Sequence, residues 1–446
     1  MSLSNLLRIG KKAEGLGSQR ISTLCIEPAQ FSQHSATFLL PKVGVLDAGS
    51  FIVLKLKTAN ANQFLPLNAG VFSLLQNATL RGGGGGAEVI AQTEFCGMKN
   101  TMKTWWSEPV RRMQINNVRH GQFAYDFMVQ KDTNGKFGKN AINKNIVGVS
   151  IAGNGNAEIV EAFRATDNTG TSVEMRIQLS QLFGFMNYLQ LPTGLIENQM
   201  SITLTFTQDL AGNRTVPASG QNWAAGNDVV EADCKLYCDV LFWEQQEPNE
   251  PTVMEQLEGE LNKGVQLTFT DSVAFKTSMP AVNVNQGETK SQQTNILAGL
   301  AGQVLRRILI ATPQSPDFVN NAAANALLGN WFSEGSQAGE EFQVTINNKN
   351  VYPSANGLIS DNLIWNELSQ THGYDDGDVN YFKGNSGMTS WNGQTYLTTN
   401  APQGQYKYDR DANQDFGTDH TFMTHQQFLL DGKAHYLGVN LAKSYE

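Results

Sequence analysis

The stretch from Val173 to Phe206 reads VEMRIQLSQLFGFMNYLQLPTGLIENQMSITLTF. Apolar and polar residues alternate at both of its ends, over Val173–Leu179 and over Met200–Phe206. Because successive side chains of a strand point to opposite faces, a period of two predicts strands with one face on a core and the other towards solvent or a partner. The stretch therefore predicts two strands of an antiparallel sandwich.

The same alternation recurs over Ala232–Phe242. Further strand candidates are Ala36–Leu40, Phe51–Lys57, Ala124–Val129, Val265–Phe269, Leu305–Ala311, Phe342–Ile346, Phe428–Leu430 and His435–Leu441. Gly accounts for 42 of the 446 residues, and charged residues make up only 16% of the chain. Few charges and many turn-forming residues favour a β-rich body with long loops over a helical bundle. We predict an all-β protein with short helices.

Charge and hydropathy argue against a nucleic-acid-binding, secreted or membrane-spanning protein. The net charge of −9 argues against a general nucleic-acid binder, which needs a basic face to displace counterions. Residues 1–20 are polar and do not form a secretory signal. The most apolar stretch, Leu182–Ile196, contains Asn187 and Gln190 and is too short to span a bilayer. We therefore expect a soluble protein.

An acidic segment that contains two prolines divides the chain. Six glutamates cluster with Pro248 and Pro251 between Glu244 and Lys263. Proline cannot continue a central strand, and Val253–Leu261 fits a short acidic helix. We predict an N-terminal arm over 1–20, a first β domain over 20–245, a linker over 246–263 and a second β domain over 264–446.

One order of elements occurs on both sides of this linker. The first copy has a strand over Asn77–Arg81, a turn at Gly82–Gly86, a strand over Glu88–Ala91 and a helical pattern that contains Met98, Met102, Trp105 and Trp106. The second copy has a strand over Phe342–Asn347, a turn at Asn348–Asn350, a strand over Val351–Tyr352 and a helix. We interpret the repeated order as a structural duplication.

The helix of the second copy has recognisable ends. Ser360 is a plausible N-cap, and Gly373 is expected to stop the helix. Its predicted apolar stripe consists of Leu363, Ile364 and Leu368.

Three long polar insertions interrupt the strand pattern, at Lys131–Ser172, Asp209–Asp228 and Asp375–Asp419. Loops of this length are uncommon and usually functional.

Several segments together resemble double jelly-roll major capsid proteins, most closely those of polinton-like viruses and virophages. The most specific are Arg176–Phe185, Leu191–Ile196 and Met200–Phe206. Gly70–Ile90 is similar to the strand, glycine turn and strand of that family, and His435–Leu441 to a recurrent strand near its C-terminus.

The resemblance implies two eight-stranded jelly rolls that stand side by side, with strands roughly perpendicular to a shell. It implies a homotrimer with a pseudo-hexagonal outline that tiles an icosahedral double-stranded DNA virus capsid. The implied partners are neighbouring capsomers, penton proteins and minor capsid or cement proteins, and the implied location is the virion, assembled inside the host cell. Three-fold symmetry acting on a duplicated domain presents six similar sides, which matches a six-neighbour lattice.

The second roll departs from this pattern. After its insertion we find only Phe428–Leu430 and His435–Leu441 as strand candidates, so one or two final strands are missing. We expect the native chain to continue beyond Glu446.

Residue patterns for catalysis or ligand binding are weak, and we expect no enzyme activity, cofactor, metal or small-molecule substrate. Gly82–Gly86 is followed by Ala87-Glu88 instead of the Lys and Ser or Thr of a phosphate loop, so a hairpin turn is expected. The histidines are His34, His120, His372, His420, His425 and His435, and they form no His-x-His pair.

Two acidic clusters are interpreted as solvated loops. They consist of Asp375, Asp376 and Asp378, and of Asp409, Asp411, Asn413 and Asp415. The second is similar to a calcium loop, but Gln414 and His420 replace the Gly and Glu that such a loop requires.

The four cysteines do not form a disulfide framework. Cys234 and Cys238 are expected on one face of a strand, about 13 Å apart, which is too far for a disulfide. We predict that these two, Cys25 and Cys96 are small buried apolar residues.

The basic arm over 1–20 keeps several roles open: contact with an inner membrane or genome, clipping of neighbouring capsomers, or an ordinary disordered terminus. Candidate contributors to subunit contacts are Trp105, Trp106, Trp223, Trp331 and Trp391. The alternative from another class is a carbohydrate-binding or glycan-processing β-sandwich protein, in which loop tryptophans and paired acids would serve sugars.

Overall fold

The computed structural model describes residues on both sides of the predicted linker. On the first side they are 19–58, 63–64, 69–82, 88–107, 120, 173–187, 189–207, 216–217 and 228–243. On the second side they are 255, 258–259, 262, 271–277, 291, 293–295, 304–311, 341–354, 356–372 and 436–441.

Two five-stranded sheets form the first side. The first sheet has the order β1 (Gln19–Ile26), β12 (Asp228–Trp243), β5 (Phe51–Thr58) and β9 (Val173–Gln178), and β4 (Val45–Leu46) also pairs with β12. The second sheet has the order β2 (Gln30–Phe31), β3 (Ser35–Leu39), β10 (Ser201–Phe206), β7 (Leu75–Gly82) and β8 (Glu88–Glu94).

Eight of these strands follow a nested, antiparallel order. Strand β1 pairs with β12, β3 with β10, β5 with β9, and β7 with β8. The first of the eight thus pairs with the last, and the fourth pairs with the fifth. An eight-stranded hairpin rolled in this way into two sheets is a jelly roll. The prediction of an all-β protein with few helices is confirmed.

The core lies between the two sheets. Phe38, Leu80 and Ile202 of the second sheet and Ile52 and Leu236 of the first are buried. Along β10 buried residues alternate with half-buried ones. Each buried Leu, Ile or Phe side chain contributes about 1.5–3 kcal/mol, so the alternation fixes which face of every strand turns inward.

Short elements complete this side of the chain. The helices are α1 (Cys96–Ser107) and α2 (Leu179–Leu182), and the 3₁₀ turns are η1 (Gly70–Leu74) and η2 (Gly184–Asn187). Strands β6 (Gln63–Phe64) and β11 (Val216–Pro217) form a separate pair.

On the second side, β13 (Arg307–Ile310) pairs with β16 (Leu437–Asn440), β14 (Thr345–Ile346) pairs with β15 (Lys349–Asn350), and α3 (Asp361–Thr371) packs on β16. Gly438 permits this packing, because a Cβ at that position would lie 2.9 Å from both Leu368 Cδ1 and Thr371 Oγ1. The order of strand, turn, strand and helix predicted for both sides is therefore present in each. The domain boundaries and the second eight-stranded roll stay predictions.

Details of the second copy differ from the sequence-based expectation. The turn lies at Asn347–Asn348, whose φ angles of 51° and 62° belong to a two-residue hairpin turn, and not at Asn348–Asn350. The second strand is Lys349–Asn350, so the prediction of a strand over Val351–Tyr352 is wrong. Ser360 caps α3 as predicted, since its Oγ accepts a hydrogen bond from the backbone N–H of Leu363 at 3.3 Å. The predicted stripe is wrong at Leu363, whose side chain is exposed; Trp365 is buried beside Ile364 instead.

Strand β1 was not predicted. Its positions that face the core include Ser22 as well as Leu24 and Ile26, while Ile21 is exposed. The alternation of apolar and polar residues in this edge strand is therefore weak. The predicted strands Ala124–Val129, Val265–Phe269 and Phe428–Leu430 lie outside the described residues, as do nearly all of the three polar insertions.

Candidate assembly surfaces

Most of the cysteine thiols of the described residues are buried. Burial raises the pKa of the Cys96 thiol to about 12, and burial together with the charge of Asp239 raises that of Cys238 to about 12. Both thiols are therefore protonated and poorly nucleophilic at neutral pH. Cys234 is also buried, whereas Cys25 is exposed, so the prediction of a buried residue is wrong for Cys25.

The histidines within the described residues have structural surroundings. His34 is exposed, and His120 is buried against the edge of the Phe72 ring. Burial, helped by the charge of Arg307, lowers the pKa of His372 to about 3. Its Nε2 lies 2.8 Å from the hydroxyl of Tyr436, so a neutral imidazole joins α3 to the residue before β16.

The glycine run and the possible metal ligands can be compared with the structure. Gly82 pairs with Glu88, so the glycine run connects two adjacent antiparallel strands; residues 83–87 themselves lie outside the described residues. Among the described residues no group of three His, Cys, Asp or Glu side chains is arranged to hold a metal ion. The acidic clusters after residue 373 lie outside those residues.

The nested strand order gives the sandwich two different ends. We call the end with the connections 40–50, 83–87 and 179–200 the interlocked end. The connections 27–34, 59–74, 95–172 and 207–227 leave from the opposite end, the insertion end. Two of the three polar insertions, Lys131–Ser172 and Asp209–Asp228, therefore belong to the insertion end. Strand β1 begins, and β12 finishes, at the interlocked end.

The interlocked end is closed by contacts between the connections 40–50 and 179–200. Leu46 and Leu191 exchange backbone hydrogen bonds of 2.7 and 3.1 Å. The N–H of Gly194 donates to the carbonyl of Gly44 at 2.9 Å. This gives a structural reason for the Leu191–Ile196 motif, because it is the part of the chain that passes directly over the neighbouring connection.

A row of side chains crosses the outer face of the first sheet. The Phe51 and Tyr237 rings stack with centroids 5.0 Å apart and an interplanar angle of 12°. The guanidinium carbon of Arg176 lies 3.4 Å from the centroid of the Phe51 ring, a cation–π contact. At the β1 edge, the adjacent Cys25 thiol raises the pKa of Tyr237. Sequence reasoning missed this row, because the strand register alone brings its members together.

The outer face of the second sheet is polar but less exposed. Thr203 lies between Thr37 and Thr79 on its two neighbouring strands, and the hydroxyls of Thr37 and Thr203 are 3.3 Å apart. Thr79 is only 7% exposed although it points away from the core. The low exposure of Thr79 follows from its central place in the sheet, between β10 and β8.

The tryptophans proposed for subunit contacts are only partly placed. Trp105 and Trp106 belong to α1, and their side chains lie outside the described residues, as do Trp223, Trp331 and Trp391. Large apolar side chains that are exposed include Ile21 on β1 and Val89 on β8. Within the described residues, no helix combines the length and the apolar character needed to cross a bilayer.

Comparisons with known proteins gave structural neighbours only. No family model matches the chain, and no curated protein matches it. Similar solved structures include the mavirus major capsid protein (11% identity, 54% of this chain and 52% of that chain, TM-score 0.29). The Faustovirus major capsid protein is also similar, with 9% identity, coverage of 53% of this chain and 57% of that chain, and a TM-score of 0.30. A chain of the Sputnik virophage structure has 13% identity, coverage of 54% of this chain and 51% of that chain, and a TM-score of 0.30.

The chain spans about half the length of these solved structures. Two of these solved structures are named as viral major capsid proteins. We base the jelly-roll assignment of residues 19–243 on the strand order of this chain itself.

Proposed function

We propose that this chain is the major capsid protein of an icosahedral double-stranded DNA virus, and that it acts through its surfaces and not through a catalytic site. Its two sides form two jelly rolls, and three copies form a capsomer with a pseudo-hexagonal outline. Neighbouring capsomers, penton proteins and cement proteins are its partners in the virion.

The observation that carries this proposal is the polarity of the first jelly roll. Its long connections leave from the insertion end, while the opposite end is closed by the contacts of Leu46 with Leu191 and of Gly194 with Gly44. A subunit of a tiled shell needs such a difference, since one end faces outward and the other faces the contents. The sequence resemblance described above points the same way.

The repeated strand, turn, strand and helix supports the proposed trimer. A duplicated domain under three-fold symmetry gives six comparable sides, which suits a lattice in which each unit has six neighbours. Permanent interfaces of this kind bury about 2,000–5,000 Å². We therefore expect a trimer that persists on dilution.

The test is the mass of the purified full chain by size-exclusion chromatography with light scattering, combined with negative-stain images. A stable trimer with a hexagonal outline is the expected result. A monomer that is retained on a glycan resin would replace the proposal with the carbohydrate-binding alternative. A pentamer would indicate a vertex protein instead.

A further inference from the structure

Strand β8 is the last strand of the second sheet, so one side of its backbone has no partner strand within the described residues. An open edge of this kind can pair with another chain, and natural proteins usually cover or charge it. Here the residues beside this edge come from the other side of the predicted linker. They are Asp271–Ala274, in an extended segment without regular secondary structure.

The contacts between this segment and β8 are reciprocal. The N–H of Gln92 donates to Oδ2 of Asp271 at 3.2 Å, and the N–H of Ala274 donates to Oε2 of Glu94 at 3.1 Å. Each partner thus supplies a carboxylate to a backbone N–H of the other. The second oxygens are also occupied, because Glu94 Oε1 accepts from Gln92 Nε2 at 3.2 Å and Asp271 Oδ1 accepts from the N–H of Ser272 at 2.8 Å.

The charge of Asp271 also acts on a partly buried lysine. Lys99 is in the first turn of α1, directly after β8, and is partly buried. Its Nζ donates to Thr93 Oγ1 at 3.0 Å, and that buried hydroxyl donates to the carbonyl of Leu182 at 2.5 Å. Burial lowers the pKa of Lys99, and the negative charge of Asp271 acts in the opposite direction. Asp271 is therefore a counter-charge for a partly desolvated ammonium group.

We propose that Asp271–Ala274 is an intramolecular docking segment, which covers the edge of β8 and thereby prevents this edge from pairing with another chain. Asp271 is the residue that recognises the site, because it accepts from the Gln92 N–H and its negative charge favours the ammonium form of Lys99. Glu94 completes the clamp from the first side. The partner of this surface is thus the chain's own second side, and the inference does not depend on the proposed capsid function.

The first test is hydrogen exchange by mass spectrometry on the full chain. In Asp271→Ala we expect the peptide that covers β8 to exchange about ten-fold faster, since the Gln92 N–H loses its acceptor. A peptide that covers β5 should be unchanged. Glu94→Gln is the milder second variant and should accelerate exchange around Ala274. Unchanged exchange of β8 in both variants would overturn the proposal.

The second test is a double-mutant cycle in urea. Asp271→Ala leaves the partly buried Lys99 ammonium without the nearby negative charge. The variant should therefore lower the free energy of unfolding by more than the loss of one hydrogen bond does. Adding Lys99→Met should recover part of this loss, with an unfolding constant about ten-fold smaller than additivity predicts. Additive effects would exclude the pairing. Lys55→Met, which breaks the exposed 3.5 Å ion pair with Glu174 on the other sheet, is the matched control.

Oligomeric mass separates this inference from the proposed function. If the edge of β8 is released, Asp271→Ala with Glu94→Gln should associate beyond the wild-type oligomer in a concentration-dependent way, whatever that oligomer is. If the wild-type protein is a monomer and the double variant still associates, the result supports the docking segment and contradicts the capsid proposal. A variant with faster exchange but unchanged mass would refute the protective role of the segment.

Discussion

Replacing Gly194 by alanine should separate the two connections, 40–50 and 179–200, that close the interlocked end of the sandwich. A Cβ at Gly194 would lie 2.5 Å from the backbone N of Gly44 and 2.9 Å from its carbonyl O, and neither atom can rotate away. Gly44 cannot move away, because it is itself packed against β12. Its φ is +56°, and the position that a Cβ would take at Gly44 is only 2.5 Å from the carbonyl O of Leu241 and from Val240 Cγ1. The two connections must therefore separate.

The cost follows from two contributions. Overpacking against atoms that cannot yield costs about 1–3 kcal/mol. Lengthening the hydrogen bond from the Gly194 N–H to the Gly44 carbonyl, now 2.9 Å, costs about 1 kcal/mol more. We therefore expect Gly194→Ala to lower the free energy of unfolding by about 2–4 kcal/mol, measured by urea denaturation followed by far-UV circular dichroism.

Gly184 provides the control within the same connection. A Cβ there would meet nothing within 4 Å, and its φ is not in the left-handed region. Gly184→Ala should change the free energy of unfolding by less than about 0.5 kcal/mol. If Gly194→Ala behaves like this control, the contact between the two connections is not as close as we describe.

Three further predictions concern the second side and the thiols. Gly438→Ala should destabilise by about 1–3 kcal/mol in the same urea assay, because its Cβ would lie 2.9 Å from two side-chain atoms of α3; an unchanged midpoint would exclude this close packing. The folded-state pKa of His372, about 3 against an ordinary 6.5, means that the unfolded state gains a proton first as pH falls. Stability should thus fall by about 1.4 kcal/mol per pH unit between these values, and the slope should be shallower in His372→Gln, as denaturation at several pH values will show. Maleimide with peptide mapping should label the exposed Cys25 of the native protein and leave Cys96 and Cys238 unmodified; fast labelling of either would contradict their burial and raised pKa.

The sequence predicted those elements whose pattern is local. The period of two identified β9 and β10, and a serine before a helical pattern identified the start of α3. Strand β1 escaped because an edge strand needs fewer apolar residues facing the core. Gly184 and Gly194 look equivalent in the sequence, yet only Gly194 contacts a distant backbone.

The contacts between distant residues were less predictable for the same reason. The row of Arg176, Phe51 and Tyr237 depends on strand register across three strands, and no spacing within any one strand indicates it. The clamp of Asp271 and Glu94 joins residues on opposite sides of the predicted linker. Single carboxylates carry no recognisable motif, so only their three-dimensional partners show what they do.

The docking segment has a defined direction relative to the strands of the first side. Asp271 contacts Gln92 and Ala274 contacts the side chain of Glu94, so the segment runs in the same direction as β8, away from the interlocked end. Strand β1 also runs away from that end, because β12 returns to it antiparallel. The described segment of the second side and the first strand of the first side therefore run in the same direction. The clamp thus fixes the direction of Asp271–Ala274 as well as its position at the edge of β8.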